Sequence, residues 1–263
     1  MSPGRDPTQR FTNRVADYVR FRPGYPEALL DWVRQELALQ PPAVVADLGS
    51  GTGRLSELFL GAGLQVMGVE PNVAMRQAGE RMLAAYRRFR SVAGCAAATG
   101  LPAGSVDLVA AGQAFHWFDP EATAAECLRI LRPCGAVLLV WNERRRDAPA
   151  FMAEYQALLC RHAREPSLLR EDHDDRVRIE RFFGSNQCLH RGFQHRQRLD
   201  CEGLCGRVFS SSYAPAVDDP DAEPLRSALC DLFQRHEDNG CVELIYETRA
   251  YLGRLSTSDR AGG

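Results

Sequence analysis

The sequence predicts an α/β protein built on a doubly wound, mostly parallel sheet with helices on both faces. Two observations predict it: short apolar segments rich in β-branched residues alternate with helix-like segments, and a glycine-rich turn follows the first apolar segment. In such sheets, ligands bind beyond the carboxyl ends of the strands, where the strand order reverses. The 263 residues allow one domain with a modest extension.

Seven segments are typical of strands, and the last two are expected to join the same sheet as a late antiparallel pair. The predicted strands cover residues 43–48, 65–69, 89–93, 106–111, 136–141, 193–199 and 242–252. The predicted helices cover residues 54–60, 72–88, 120–131 and 221–236, with a charged helical stretch over 144–181 and a loop at 171–175. Asn72 is expected to cap the second of these helices. Two prolines, Pro23 and Pro26, are expected to break the helices of residues 11–39.

Composition excludes several classes of function. Hydrophobic residues at 45% and charged residues at 25% are typical of a soluble globular protein. The net charge of −2 gives no support for a nucleic-acid partner or an anionic membrane. All 32 basic residues are arginine, which excludes Schiff-base chemistry on lysine and the lysine of a P-loop. No apolar run is long enough to span a bilayer or to form a signal peptide.

Nine cysteines are scattered along the chain without a C-x-x-C pair. This odd number argues against a disulfide framework or a zinc ribbon and favours a reducing cytoplasm. We expect no metal site, because the cysteines and histidines of the C-terminal half follow no known zinc-ligand spacing. The ligand-type residues considered there are Cys188, His190, His195, Cys201 and Cys205.

The glycine-rich turn, DLGSGTG at residues 47–53, lies between a predicted strand and a predicted helix. Glycine permits positive φ and close approach of a ligand, and the helix N-terminus offers free N–H donors. The glycines are spaced G-x-G-x-G, whereas a dinucleotide fingerprint needs a small residue where Arg54 stands. Glu70 ends the second predicted strand, and its carboxylate suits two adjacent ribose hydroxyls. Taken alone, Glu70 is better explained as a solvated strand-end acid, whereas the glycine loop upstream favours ribose binding.

The run VVADLGSGTG at residues 44–53, with Glu70 behind it, resembles motif I and the acidic residue of class I S-adenosylmethionine-dependent methyltransferases. Residues 99–109, the FHWF run at 115–118 and the LRPCG run at 131–135 are similar to the methyltransferase type 11 domain group, which includes trans-aconitate-methyltransferase-like proteins. The resemblance covers residues 11–143 well. It implies a Rossmann-like methyltransferase fold whose seven-stranded sheet ends in an antiparallel strand. It also implies S-adenosylmethionine as the cofactor.

The resemblance also divides the chain and assigns residues to the cofactor. It implies an N-terminal helical lid over residues 1–40, an S-adenosylmethionine-binding core over 41–143, and a part over 144–263 that completes the sheet and forms the substrate side with inserted helices. The glycine loop would hold the methionine and ribose, with Asp47 near the ammonium end. Cys95 stands where the family often has an acid for the adenine, and Cys134 replaces a usual glycine. The implied cofactor-binding residues are Asp47, Gly49, Ser50, Gly51, Gly53, Glu70, Pro71, Met75, Cys95, Ala96 and Gln113.

The methyl acceptor is expected beside the residues that follow the fourth strand. His116 has the chemistry of a general base for a hydroxyl or amine acceptor, or else it fixes the loop structurally. Trp117 and Phe118 either line a pocket or pack the core.

An N-terminal segment resembles the family's Y-x-x-x-R-P-x-Y-P pattern and contributes Tyr18, Arg22 and Tyr25 as candidate substrate-binding residues. Arg22 suits a carboxylate of the cofactor or the substrate, or a salt bridge at a helix boundary. The predicted function is methyl transfer to a small-molecule acceptor. The alternatives are a non-catalytic S-adenosylmethionine-binding protein and a nicotinamide-dependent oxidoreductase.

Overall fold

The computed structural model describes residues 19–145, 149–162, 176–184, 188–211, 213–216 and 219–255. One sheet holds seven strands: β1 (Val44–Leu48), β2 (Gln65–Val69), β3 (Phe89–Val92), β4 (Val106–Gly112), β5 (Leu131–Arg144), β6 (Cys188–Leu199) and β7 (Val242–Gly253). The helices are α1 (Glu27–Leu37), α2 (Arg54–Gly61), α3 (Val73–Met82), α4 (Pro120–Ile130), α5 (Ala150–His162), α6 (Arg176–Phe183), α7 (Cys201–Phe209) and α8 (Ala222–His236). A 3₁₀ turn, Phe115–Trp117, follows β4.

The strands lie in the order β3-β2-β1-β4-β5-β7-β6. The first five strands are parallel to one another, and β7 runs antiparallel between β5 and β6. The predicted fold class is therefore confirmed. Strand order reverses at β1, which pairs with β2 on one side and β4 on the other, so the carboxyl ends of β1 and β4 flank the expected ligand crevice.

Hydrophobic packing on both faces explains why the central strands are almost wholly apolar. Every residue of β1 is buried. Alternate residues of β5 face opposite sides: Leu138 packs with the α1 and α2 side, and Trp141 packs with the α4 and α6 side. A third core joins α5, α7 and α8 to the start of β7. No helix in the described part of the chain combines the length and apolar character needed to cross a membrane.

Several element boundaries differ from the prediction. Helix α3 ends at Met82 rather than residue 88, because the chain turns at Leu83 and Tyr86 to begin β3. Strand β5 begins at Leu131, before the predicted turn, and Cys134 within it takes a positive φ of 67°. Asn72 caps α3 as predicted, since its side chain accepts a 2.9 Å hydrogen bond from the Met75 N–H.

Helix α7 was not predicted at all. Its two glycines are poor helix formers, which hides the helical pattern in the sequence. Two features compensate for them: Asp200 caps the helix by accepting a 2.7 Å hydrogen bond from the Gly203 N–H, and the ring of Phe21 lies against Gly206, where a larger side chain would collide with it.

Candidate active site

The glycine loop joins the carboxyl end of β1 to α2 and is tied to β2. The N–H groups of Gly49 and Ser50 donate to the carbonyl of Val69 over 2.9 and 3.2 Å. Gly49 and Gly51 have φ values of 65° and 56°, which side chains other than glycine rarely adopt. The backbone is thus held in a tight turn whose amide groups are fixed before any ligand arrives.

Close contacts around the loop explain its small residues. A Cβ atom at Gly49 would lie 2.8 Å from the Cβ of Ala114 and 3.3 Å from the ring of Phe118. A Cβ at Gly51 would lie 3.3 Å from the terminal methyl of Met75. Gly53 serves packing, because a Cβ there would meet Leu83 at 2.5 Å. Whether Gly53 also lines the cofactor stays a prediction.

The carboxylate of Glu70 lies at the loop. Its Oε2 accepts a 2.9 Å hydrogen bond from the Gly51 N–H, and its Oε1 accepts a 2.8 Å bond from the Asn72 N–H. The side chain is 7% exposed, and this burial raises the pKa of the carboxyl. Each oxygen retains a lone pair for a further donor, so the carboxylate can still receive two hydroxyl groups.

Asp47 is the penultimate residue of β1, next to the loop, and is almost fully buried. Its Oδ2 accepts a 2.6 Å hydrogen bond from Ser56, while its Oδ1 has no hydrogen-bond partner among the described residues. Burial raises the pKa of this carboxyl from 3.8 to about 7. A buried acceptor without a donor is costly, so the site favours a ligand that brings a donor or a positive charge.

The residues expected around the adenine lie at the ends of β2 and β3. Met75 is buried and Pro71 is exposed. Cys95 is exposed, and its N–H and carbonyl are already bonded to Ala98, both at 3.1 Å. The backbone groups of Cys95 are therefore engaged within the turn, and the neighbouring Ala96 is buried; the adenine role of both residues stays a prediction.

The turn after β4 faces the glycine loop. Gln113 takes a positive φ of 55°, and its side chain donates to the Asn142 carbonyl on β5 over 3.1 Å. His116 lies in the 3₁₀ turn with its ring 4.8 Å from that of Trp117. Trp117 is 40% exposed, whereas Phe118 packs beside Gly49. The sequence left open whether these two aromatic side chains line a pocket or pack the core. Phe118 packs against the loop, and Trp117 faces solvent.

The N-terminal segment crosses the carboxyl ends of β4 and β5. The Tyr25 hydroxyl lies against Gly112, and Asn142 donates to the Gly24 carbonyl over 2.9 Å. Arg22 donates to the Ser210 carbonyl over 3.1 Å and contacts the Ser211 hydroxyl at 3.4 Å. Tyr18 lies outside the described residues. Arg22 and Tyr25 are therefore brought to the same edge of the sheet as the turn after β4.

Comparison with known proteins supports the resemblance to methyltransferases. Residues 46–139, from β1 to β5, match the family described as a methyltransferase domain. These residues are a methyltransferase domain. The chain is 27% identical over 248 residues to a methyltransferase-like protein of Schizosaccharomyces pombe named as uncharacterized, covering 92% of this chain and 93% of that protein.

Two further matches extend the comparison of the methyltransferase domain. An uncharacterized methyltransferase of Mycobacterium tuberculosis is 38% identical over 140 residues, so the match spans 53% of this chain and about half, 55%, of that relative. A solved structure from Anaeromyxobacter dehalogenans, itself assigned only provisionally as a type II methyltransferase, has a TM-score of 0.68 and 24% identity. It covers 89% of this chain and 98% of its own, and at this identity the likeness establishes the fold. The matched domain, the names of the relatives and the fold together indicate a class I S-adenosylmethionine-dependent methyltransferase.

Beyond the methyltransferase domain, the structure gathers a group of residues that sequence reasoning missed. We call it the arginine–tyrosine cluster; its members are Arg144, Arg207, Tyr155, Tyr213 and Tyr246, and all are buried. Arg144 ends β5 and donates to the Tyr213 hydroxyl over 2.9 Å. Arg207, on α7, donates to the Tyr246 hydroxyl over 3.1 Å. The members come from three separate stretches of the sequence, at 144–155, 207–213 and 246, so no single local motif contains them.

The cluster is joined to the N-terminal segment through one hydroxyl group. Arg207 donates to Ser211 Oγ over 2.9 Å, and Arg22 approaches the same oxygen at 3.4 Å. Among the described residues, the hydrogen-bond partners of the Arg207 guanidinium are hydroxyl groups and include no carboxylate. Neutral oxygens solvate a buried positive charge only partly, so this region favours an anion.

Proposed function

We propose that this chain transfers a methyl group from S-adenosylmethionine to a small molecule that carries a carboxylate or another anionic group. The observation that carries the proposal is the pairing of two sites at one edge of the sheet. Acidic residues Asp47 and Glu70 lie at the glycine loop, and buried arginines lie beyond the end of β5. The first suits a cationic nucleoside, and the second suits an anionic acceptor.

The residues at the loop fit the cofactor. Glu70 has lone pairs for the two ribose hydroxyls, since each of its oxygens receives only one backbone N–H. Asp47 Oδ1, which has no hydrogen-bond partner in the described part of the chain, suits the ammonium group. Gly49 and Gly51 take positive φ values, which keep the loop in a tight turn that a ligand can approach closely. When bound, the cofactor supplies an electrophilic methyl group on a sulfonium sulfur.

The acceptor site is built from positive charge and aromatic surface. Arg207, and Arg144 with it, supply guanidinium groups that match a carboxylate in bidentate geometry. Tyr155 adds a buried hydroxyl that has no hydrogen-bond partner among the described residues. A bound carboxylate would supply the negative charge that Arg207 lacks in its surroundings. These groups hold the acceptor in place, and alignment of the acceptor with the methyl group contributes much of the acceleration.

His116 acts on the acceptor in one of two ways, depending on whether the acceptor oxygen must lose a proton. A carboxylate oxygen is already ionised and needs no base, so His116 then orients the acceptor beside Trp117. A hydroxyl must lose its proton as the new O–CH₃ bond forms, and His116 then accepts that proton. Its place in the turn that follows β4 suits both roles.

One relative supports an oxygen acceptor of acidic character. A protein of Methylococcus capsulatus named malonyl-[acyl-carrier protein] O-methyltransferase is 36% identical over 103 residues, which is 36% of each chain. Because this match is partial, only the type of reaction is carried over. The net charge of −2 supports neither a nucleic-acid acceptor nor an anionic membrane. Nine free thiols support a cytoplasmic location.

The proposal is tested by supplying S-adenosylmethionine with isotope-labelled methyl groups and a panel of mono-, di- and tricarboxylic acids. Each acid is paired with an analogue whose anchoring carboxylate is replaced by a primary amide. We expect labelled product with at least one acid and at least about tenfold lower kcat/KM with its amide, as loss of a charged hydrogen bond predicts. Turnover of neutral acceptors alone would contradict the anionic acceptor.

A variant in the arginine–tyrosine cluster, compared with a variant of an exposed arginine, tests the acceptor site. Arg207→Met removes the buried charge and should raise KM for the acid more than it lowers kcat. Arg161→Met, on the exposed surface of α5 near its end, serves as the control and should change neither value. If the chain binds S-adenosylmethionine but methylates nothing in the panel or in a metabolite extract, the non-catalytic alternative replaces the proposal.

A further inference from the structure

Three cysteine thiols converge where α7 and α8 pack together. The Sγ atoms of Cys201, Cys205 and Cys230 all lie within 4.8 Å of one another. Cys201 Sγ and Cys230 Sγ are 3.2 Å apart, and all three residues are free cysteines. Within the residues that the structure describes, no other group of three histidine, cysteine or acidic side chains gathers in this way.

The arrangement follows from helix geometry. Cys201 and Cys205 are four residues apart on α7 and therefore lie on one face of the helix. Cys230 comes from α8, which packs against that face. The sequence did not reveal the group, because its third member lies on a different helix. Cys188, His190 and His195, which were considered with Cys201 and Cys205, lie on β6 and do not belong to it.

The distances match those of a metal–thiolate site. A Zn–S bond is about 2.3 Å, so two thiolates of a tetrahedral site lie roughly 3.8 Å apart. The observed separations, from 3.2 Å to at most 4.8 Å, bracket that value. Small rotations of the side chains would therefore bring all three sulfurs to bonding distance of one ion.

We propose that Cys201, Cys205 and Cys230 bind one Zn²⁺ ion, with a water molecule as the fourth ligand. Each thiol releases its proton to solvent and its sulfur donates an electron pair to the ion, with no change of oxidation state. Cys205 is buried, whereas Cys201 and Cys230 are partly exposed. The fourth position can therefore be reached from solvent.

Two features beside the three thiols partly offset the cost of burying thiolates bound to a metal. Cys201 is the first residue of α7, where the free N–H groups of a helix N-terminus stabilise negative charge. Burial raises the pKa of the Cys205 thiol, and the charge of Arg226, which lies one turn before Cys230 on α8, partly opposes that rise. Three thiolates with one Zn²⁺ leave a single negative charge, which this arginine offsets.

A bound ion would fasten α7 to α8. Helix α7 also carries Arg207 and leads into Ser210 and Ser211, which contact Arg22. The ion would thus hold the helix that presents the arginine–tyrosine cluster, while lying outside the cluster itself. Its role is structural, and it does not depend on which acceptor is methylated.

The test uses the full chain, reduced, stripped with a chelator and titrated with Zn²⁺ and separately with Co²⁺. We expect one ion per chain, thiolate-to-cobalt charge-transfer absorption, and a higher thermal unfolding midpoint with Zn²⁺. Cys205→Ser and Cys230→Ser should each weaken Zn²⁺ binding by at least about tenfold, since even an outer-shell mutation costs roughly 10- to 100-fold. Cys160→Ser, at an exposed cysteine of α5, is the matched control and should bind like the unmodified chain.

A second measurement needs no substitution. Zn²⁺ should slow alkylation of Cys201, Cys205 and Cys230 in the unmodified chain and leave the rate at Cys160 unchanged. The proposal is overturned if the reduced chain binds no stoichiometric Zn²⁺, or if binding persists unweakened in Cys205→Ser. A Cys201–Cys230 disulfide in the purified protein, combined with no metal binding after reduction, would identify a redox pair instead.

Discussion

The Glu70 carboxylate accepts a 2.9 Å hydrogen bond from the backbone N–H of Gly51. This contact makes the strand-end acid part of the glycine loop itself. It fixes the loop to the residue that follows β2 and sets the carboxylate beside the loop. One residue therefore orders the turn and offers acceptors to a ligand.

We expect Glu70→Ala to weaken binding of S-adenosylhomocysteine by about 1–3 kcal/mol, because the lost hydrogen bonds involve a charged group. Isothermal titration calorimetry measures this change. Glu70→Gln keeps the size of the side chain and one acceptor oxygen, so its loss should be smaller. Glu80→Ala, at an exposed position of α3, is the control. Equal affinity for Glu70→Ala and the control would contradict the ribose role.

Asp47 should make the ligand-free protein less stable as the pH rises. Its folded-state pKa, about 7, lies above the ordinary 3.8, so the folded state binds this proton more tightly than the unfolded state. The free energy of unfolding should therefore fall between pH 3.8 and about 7 through this group. Asp47→Asn keeps an acceptor for Ser56 and removes this contribution. Urea unfolding across that range should show a shallower pH dependence for the variant; parallel curves would refute the expectation.

The same carboxyl should couple cofactor binding to pH. Ionised Asp47 attracts an ammonium group, so affinity for S-adenosylhomocysteine should increase as the pH rises through about 7. Binding near that pH should release protons, which titrations in buffers of different ionisation enthalpy detect. Asp47→Asn should bind more weakly and lose this pH dependence. A pH-independent affinity in the unmodified chain would argue against contact between Asp47 and the ammonium.

His116→Ala should lower kcat while leaving the affinity for S-adenosylhomocysteine unchanged. A loss of about 100-fold or more, with disappearance of one limb of the pH–rate profile, would identify a base. A smaller loss with an unchanged pH profile would identify an orienting group. The rate must be measured with the unfolding free energy, since a parallel fall in stability would favour a purely structural residue.

Glu126 should stabilise the protein above acidic pH. It accepts two hydrogen bonds from Arg129, each 2.7 Å long, and two from Thr99, which together hold α4 to the segment after β3. With Arg129 as the largest cause, these contacts lower its pKa from 4.5 to about 2. The stabilisation is complete above pH 4.5 and is lost as the pH falls toward about 2.

Glu126→Gln should therefore lower the unfolding free energy at neutral pH by about 1–3 kcal/mol and leave less acid sensitivity. Glu80→Gln, again on exposed α3, should change neither. Denaturant unfolding at neutral and acidic pH gives both quantities. An unaltered stability for Glu126→Gln would show that the network contributes nothing measurable.

The glycine loop and its contact with Glu70 were predictable because their signals in the sequence are local. Residues 47–53 are contiguous, and the buried strand before them and the helix after them identify the loop. Glu70 follows the next strand along the chain. Because β1 and β2 are parallel neighbours in the sheet, Glu70 lies close to the loop that follows β1. The Asp47 hydrogen bond to Ser56 likewise spans only nine residues.

The arginine–tyrosine cluster could not be predicted, since its residues meet only through the tertiary fold. Arg144 and Tyr213 are 69 residues apart, and Arg22 and Ser211 are 189 apart. Helix α7, which carries Arg207 and two of the three clustered cysteines, was not predicted because its two glycines are poor helix formers. A buried arginine also looks like any surface arginine in the sequence of a chain whose basic residues are all arginine.

The position of β7 between β5 and β6 has a consequence for synthesis on the ribosome. Strand β6 emerges first but has no place to dock until residues 242–253 have been made. During that interval the edge of β5 stays unpaired, and such edges attract strands of other molecules. A nascent chain stalled just short of β7 should therefore expose this edge to chaperones, whereas release of the complete strand closes it in one step.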